Sequence, residues 1–200
     1  MDTPARPAIT AVILAGGRGS RMGHVDKGLQ PFRGKPMVMH VIERLSPQVD
    51  ELIINANQNL DTYATFGHRV IADEIEGFVG PLAGFERGLT HAQHDLVVTA
   101  PCDSPFLPAD LVTRLATALA RENAEIAVAR TGDQAHPVFC LMQKHVLASL
   151  REFLAGGQRK IDRWYETRRL VEVAFDDEED AFRNINTLEE KAALETGGDG

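Results

Sequence analysis

The segment Leu14–Gly28 reads LAGGRGSRMGHVDKG, with four glycines before residue 24 and three cations, Arg18, Arg21 and Lys27. Glycines let backbone N–H groups approach a bulky anion closely, and the cations bring counter-charge, so this composition suits phosphate oxygens. Without that purpose it reads as a flexible glycine-rich connection. Two familiar phosphate loops do not fit. The string GxxxxGK[ST] is absent from the chain. GxGxxG started at Gly17 meets Met22 at its last position, with Gly23 one residue late. The acidic residue that dinucleotide binding wants near the end of the second strand is replaced by Asn55-Ala56-Asn57. P-loop hydrolysis and NAD chemistry are both disfavoured.

A second candidate lies in PCDSPFLP (Pro101–Pro108), where Asp103 sits in a turn stiffened by three prolines. A rigidly held carboxylate suits Mg²⁺, which binds one or two carboxylates together with phosphates and waters. Read alone, Asp103 is equally an Asx turn or a helix cap. Asp73 offers another carboxylate, and Asn55 an uncharged donor and acceptor for a sugar or base edge. Gly80-Pro81-Leu82-Ala83-Gly84 can start a helix whose N-terminus favours anions. His136, before Pro137, reads more readily as structural than catalytic, and Asn184 and Asn186 share one face of an extended segment. Cys102 has no partners that would make it a nucleophile. The acidic run Asp176–Asp180 reads as a solvated loop.

Most of these residues follow the ends of predicted strands. Apolar, β-branched runs predict strands at Ala8–Leu14, Glu51–Asn55, His68–Ala72, Asp95–Ala100, Glu125–Arg130, Pro137–Met142 and Val171–Phe175. Between them fall helical patterns. One is opened by Pro36, with Val38, Val41, Ile42 and Leu45 on a single stripe. Others cover Pro81–His91, a segment from about Pro108 through Leu111, Leu115 and Leu119, then Lys144–Leu154 and Arg159–Glu166. Thr187 caps a last helix with Glu190 as its capping-box partner, and the tail Thr196–Gly200 is expected to fray. Strands alternating with helices imply an α/β domain with a mostly parallel sheet covered on both faces. Such sheets hold ligands outside the carboxyl ends of their strands, where the unusual residues fall. One domain over residues 1–200 is the expectation, with 1–7 and 196–200 as flexible termini.

Composition narrows the partners. With 21 Lys and Arg against 29 Asp and Glu, the net charge is −8, so no polybasic face is implied for nucleic acid or an anionic membrane. Two cysteines, Cys102 and Cys140, are too few for a disulfide framework and lack CxxC spacing. No run approaches the ~18 apolar residues of a membrane span, and the first ten residues hold no apolar leader core. A reduced, cytoplasmic domain follows.

LAGG-x-G-x-R-M-G, then DKG, GPLAG and CD-x-P-x-L-P, in this order and spacing, resembles the nucleotidyltransferases of molybdenum-cofactor maturation, and among them the bacterial guanylyltransferases of the MobA family. The likeness spans Ala11 to about Leu194. It implies a single Rossmann-like three-layer domain of the nucleotide-diphospho-sugar transferase type. It further implies transfer of GMP from GTP to molybdopterin, with Mg²⁺ or Mn²⁺. By the same resemblance the nucleotide loop is Leu14, Ala15, Gly16, Gly17 and Arg18, with Arg21 and Lys27 acting on the phosphates. Asn55 and Asp73 then contact guanosine, and Asp103 holds the metal. Gly84, His136, Asn184 and Asn186 are candidate contacts to the pterin or a phosphate. Gly17 and Asp26 favour guanine over cytosine, since the cytidylyl relatives carry AAG and lack the Asp before Lys. A monomer is expected, with transient handover to molybdenum-insertion proteins and apo-molybdoenzymes. The alternatives are a cytidylyl- or sugar-nucleotidyltransferase on the same fold, or a non-catalytic GTP-binding adaptor.

Overall fold

The structure, a computed structural model, describes residues 6–16, 26–74 and 80–185. The first half of the chain gives β1 (Ile9–Leu14), β2 (Pro31–Phe32), β3 (Lys35–Pro36), α1 (Met37–Leu45), β4 (Glu51–Asn55), α2 (Leu60–Ala64), β5 (Arg69–Ile71) and α3 (Pro81–His91). The second half gives β6 (Leu96–Pro101), α4 (Leu111–Arg121), β7 (Ile126–Thr131), β8 (Gln134–Gln143), α5 (Leu147–Ala155), α6 (Ile161–Tyr165) and β9 (Leu170–Ala174). Seven strands form one sheet in the order β5-β4-β1-β6-β8-β7-β9, while β2 and β3 make a separate small hairpin. β1 runs parallel to β4 and β6, β4 to β5, and β7 to β9. Only β8 runs antiparallel to its neighbours, β6 and β7. The expected α/β class with a mostly parallel sheet is what the chain builds. β8 departs from the alternation because the turn at Gly132 (φ +51°) is too short for the crossover a parallel neighbour needs.

Side-chain alternation along β1 divides the core. Ile9, Ala11 and Ile13 face one side, where Val38, Val41 and Leu45 of α1 and Leu111, Leu115 and Leu119 of α4 pack. Val12 faces the other, against Leu82, Phe85 and Leu89 of α3 and Leu150 and Leu154 of α5. Each such side chain contributes about 1.5–3 kcal/mol on burial, so a charge at Val41 would detach α1 from the sheet. Buried polar groups on the strands are paired. Thr10 Oγ1 donates to Glu51 at 2.6 Å, and Thr99 Oγ1 donates to the Val138 carbonyl at 2.6 Å. That carbonyl is free because the β7–β8 register jumps between Val128 and Ala129, taking Pro137, which has no N–H for a ladder, out of the pairing.

Several boundaries differ from the sequence expectation. Pro36 both ends β3 and is the N-cap of α1, so the helix it opens begins at Met37. The preceding turn uses Arg33 (φ +46°) and Gly34 (φ +84°), the left-handed pair that a tight hairpin requires. Pro101 is the last residue of β6, level with Leu14. The hairpin β2–β3 and α2 are too short to show periodicity and were not expected. The acidic run is anchored and not merely solvated. Asp176 accepts from Gly132 N at 2.7 Å, and Asp177 takes both Arg114 guanidinium nitrogens at 2.9 Å. At the other end Arg6, placed in the flexible terminus by the sequence, pairs with Asp50 at 3.0 Å. The helix capped by Thr187 and the tail Thr196–Gly200 lie outside the described residues.

Candidate active site

The chain lays down β1, then β4 and β5 outward from it, and returns across β1 to place β6 on its other side. The strand order therefore reverses beside β1, and the crevice at the carboxyl ends of β1 and β6 is where an open α/β sheet holds a ligand. Both neighbours fix the root of the glycine loop. Ala15 N donates to the Asn55 carbonyl at 2.7 Å, and Cys102 N donates to the Leu14 carbonyl at 3.1 Å. The Ala15 N–H is thereby used in the ladder and is not available to a phosphate. Gly17, Arg18 and Arg21 lie outside the described residues.

Across this crevice Lys27 Nζ stands 3.4 Å from Asp103 Oδ2, although the two are 76 positions apart in sequence. Asp103 is only 7 % exposed. Burial pushes its carboxyl above the usual range, and the Lys27 ammonium pulls it back in part. The Asp103 carbonyl accepts from Ile185 N at 3.0 Å, and Ser104 Oγ donates to Asn184 Oδ1. Asn184 is thus held beside the acid turn, while Asn186 lies outside the described residues.

A second cluster joins the ends of β4 and β5. Asn55 Nδ2 donates to Asp73 Oδ1 at 3.0 Å, and Asn57 Nδ2 donates to Asp73 Oδ2 at 2.7 Å. Asp73 N returns a bond to Asn57 Oδ1 at 2.8 Å. Asn55 is 2 % exposed, so it turns its amide to Asp73 and orients that carboxylate. Sequence reasoning missed Asn57 as a site residue. Its signal was the spacing of two from Asn55, which repeats the amide along the same extended stretch. Arg87, also missed, is buried on α3; its Nε donates to the Ala72 carbonyl at 3.0 Å and its Nη2 pairs with Glu74 at 2.9 Å, bracketing Asp73.

Two weaker candidates have other work. Gly84 is buried in α3, where an added Cβ would come within 2.6 Å of Leu14 Cδ2 and 2.7 Å of Asn55 Oδ1. It makes room for the Asn55 side chain beside the cluster. His136 stacks on Phe182 with centroids 4.6 Å apart and bonds Thr131 Oγ1 at 2.7 Å. Burial holds its imidazole below the usual pKa. Its ring belongs to the aromatic cluster with Phe139 and Phe182.

An α/β sheet with a cation and a buried carboxylate facing each other at the switch point, and a carboxylate held by two amides further along the same sheet edge, suits a nucleotidyltransferase. The chain belongs to the MobA-like NTP transferase domain family, whose profile matches residues 11–173. It is similar to the molybdenum cofactor guanylyltransferase of Cupriavidus pinatubonensis, with 56 % identity over 198 residues, 96 % of this chain and 99 % of the relative. In fold it is similar to the molybdopterin-guanine dinucleotide biosynthesis protein A of Archaeoglobus fulgidus, with a TM-score of 0.79, 24 % identity, and 94 % and 97 % of the two chains covered. A Mycobacterium tuberculosis protein solved in complex with manganese has a TM-score of 0.67 at 19 % identity, covering 94 % of this chain and 98 % of its own. Among the described residues no helix is long and apolar enough to cross a membrane.

Proposed function

We infer that the chain is a molybdenum cofactor guanylyltransferase, moving GMP from GTP to molybdopterin with release of pyrophosphate. The observation that carries this reading is the meeting of Lys27 and Asp103 at 3.4 Å beside the amide-held Asp73. One end of the crevice suits phosphates and the other a nucleoside. The relative at 56 % identity bears the same activity in its name.

The chemistry joins two anions. A terminal phosphate oxygen of molybdopterin forms a bond to the α-phosphorus of GTP, the bond from that phosphorus to the bridging oxygen breaks, and pyrophosphate leaves with the electron pair. Two unit charges 4 Å apart repel by about 4 kcal/mol at an effective dielectric of ~20, so counter-charge is the first requirement. Lys27, with Arg21 and Arg18 of the glycine loop, meets the leaving phosphates. The attacking phosphate is already ionised at neutral pH, so no side chain has to remove a proton. Catalysis is then positioning and electrostatics.

Asp103 fits a magnesium ion. It is a hard oxygen donor, nearly buried, and burial raises its pKa against the pull of Lys27. Asp103 would hold Mg²⁺ or Mn²⁺ together with substrate phosphate oxygens, a donor set such ions accept. When bound, the ion supplies positive charge to the phosphates. Asp73, its two oxygens directed by Asn55 and Asn57, accepts from donor groups of the guanosine. Asn184, which accepts from Ser104 Oγ next to Asp103, is proposed for the pterin side, together with Asn186 two residues on in sequence.

The test is pyrophosphate release and dinucleotide formation from GTP, CTP or ATP with Mg²⁺ and molybdopterin. GTP is expected to react alone, and Asp103→Ala to lose at least ~10³-fold in turnover while the circular dichroism is unchanged. Product from CTP and not GTP overturns the guanine assignment, and wild-type turnover in Asp103→Ala removes that residue from the reaction.

A further inference from the structure

We propose that Tyr63 and Asp26 form a clamp that aims Lys27 at Asp103, so that Asp26 is a positioning residue for the transfer and not a reader of the base. The inference rests on Lys27 serving the triphosphate, as inferred above.

Asp26 directly precedes Lys27, and its carboxylate is directed at the protein. Oδ1 accepts from the Tyr63 hydroxyl at 2.6 Å and from Gly28 N at 3.2 Å, and Oδ2 accepts from Asn59 Nδ2 at 3.0 Å. Tyr63 comes from α2, is fully buried, and belongs to the main core. Burial holds its phenol protonated, so the hydroxyl is the donor and the carboxylate the acceptor. Asn59 sits at φ +52°, a left-handed conformation that Asn tolerates, and its side chain does not cap α2 but reaches Asp26.

Gly28 completes the clamp from the other side. An added Cβ would fall 2.5 Å from the Tyr63 hydroxyl and 3.2 Å from Cys102 Cβ and Sγ. Any larger residue would force the hydroxyl off Asp26. Because Cys102 is bonded to Asp103, the same packed contact sets the backbone on both sides of the Lys27–Asp103 pair. A lysine has four rotatable side-chain bonds and reaches a fixed point only if its backbone is fixed. Three bonds to the preceding carboxylate and a core tyrosine supply that constraint. The function of each residue in Asp26-Lys27-Gly28 follows: anchor, cation, clearance.

The experiment measures binding of GTP and of guanosine by calorimetry, and pyrophosphate release with GTP and CTP, for the full chain and the variants Tyr63→Phe, Asp26→Asn, Lys27→Ala and Tyr63→Phe/Lys27→Ala. Tyr63→Phe is expected to lower GTP affinity and turnover by about 10-fold, because small misplacement of a charged group is costly in phosphoryl transfer. Guanosine affinity and the GTP-to-CTP preference stay as in the wild type. In the Lys27→Ala background the added Tyr63→Phe is expected to change GTP affinity by less than about 2-fold, since the clamp then has nothing to aim. A full-sized Tyr63→Phe effect without Lys27 shows a general structural role and overturns the clamp, as does wild-type behaviour of Tyr63→Phe. A shift of preference toward CTP in Asp26→Asn makes Asp26 a base reader and also overturns it. Should Tyr63→Phe fail to fold, Asn59→Ala, which removes one donor outside the core, is expected to give about a 3-fold loss with the same dependence on Lys27. A full Asn59→Ala effect in the Lys27→Ala background, or none in the wild type, overturns the clamp in that case. If Lys27→Ala itself binds GTP normally, the fault lies in the functional reading and the clamp falls with it.

Discussion

Removing Lys27 is expected to cost stability as well as activity, and to do so in a pH-dependent way. At 3.4 Å the ammonium and the carboxylate attract by about 5 kcal/mol at an effective dielectric of ~20. Part of this offsets the burial of Asp103, and the Lys27 side chain is a quarter exposed, which screens the pair. Lys27→Ala leaves a nearly buried carboxylate without this counter-charge, at a net cost of about 2–3 kcal/mol at neutral pH. In a domain of this size that is a fall of roughly 4–12 °C in Tm. The sign with pH follows from Asp103. Burial already raises its pKa above the ordinary 3.8, with Lys27 opposing, so loss of Lys27 raises it further. The folded variant then binds the proton more tightly than the unfolded chain. Its deficit is complete above the raised folded pKa and shrinks as pH falls toward 3.8. Thermal melts of wild type, Lys27→Ala, Asp103→Asn and the double variant across this range measure the effect. The neutral amide of Asp103→Asn should restore most of the lost stability in the double variant, though neither variant is expected to turn over GTP. A Lys27→Ala protein that melts with the wild type near pH 8, or whose deficit does not vary with pH, refutes the electrostatic account of the pair.

Gly84→Ala places a methyl 2.6 Å from Leu14 and 2.7 Å from the Asn55 amide oxygen, so α3 must shift or Asn55 must release Asp73. A loss of about 1–3 kcal/mol in denaturant melts is expected, together with a raised KM for GTP; unchanged KM would separate Gly84 from the nucleoside cluster. Burial lowers the His136 pKa, so the unfolded chain takes up a proton near 6.5 that the folded one resists, and stability falls as pH drops below that value. His136→Gln should flatten part of the Tm decline between roughly pH 6.5 and 5, the remainder belonging to His68 and His91, whose pKa values burial also lowers. An identical slope in the variant would show that His136 does not resist protonation in the fold.

The chain's own order of residues determined the α/β class, because β-branched runs such as Ala11–Ile13 and Ile53–Ile54 can be buried on both faces only inside a covered sheet. It also singled out Asn55, Asp73 and Asp103 at or just beyond strand ends, where an asparagine or a proline turn interrupts the apolar pattern, and Lys27 at the end of the glycine-rich segment that follows β1. Local pattern found the strand Pro137–Met142 within β8 but not its direction. Its direction depends on a turn at Gly132 being too tight for a crossover, a matter of tertiary closure and not of periodicity. Nor could it separate residues that meet a ligand from those that hold others in place. Asn55 donates to Asp73, and Gly84 lies so close to Asn55 that an added Cβ would come within 2.7 Å of its amide oxygen, neither of which the sequence shows. Asn57, Tyr63 and Arg87 have no motif at all; they matter because folding brings an amide, a phenol and a guanidinium onto carboxylates and carbonyls 15 to 37 positions away. Hydrogen bonds and charge pairs act over a few ångströms of space, and sequence records distance along the chain only. The 76 positions between Lys27 and Asp103 became 3.4 Å because β1 and β6 lie side by side, which only the sheet order decides.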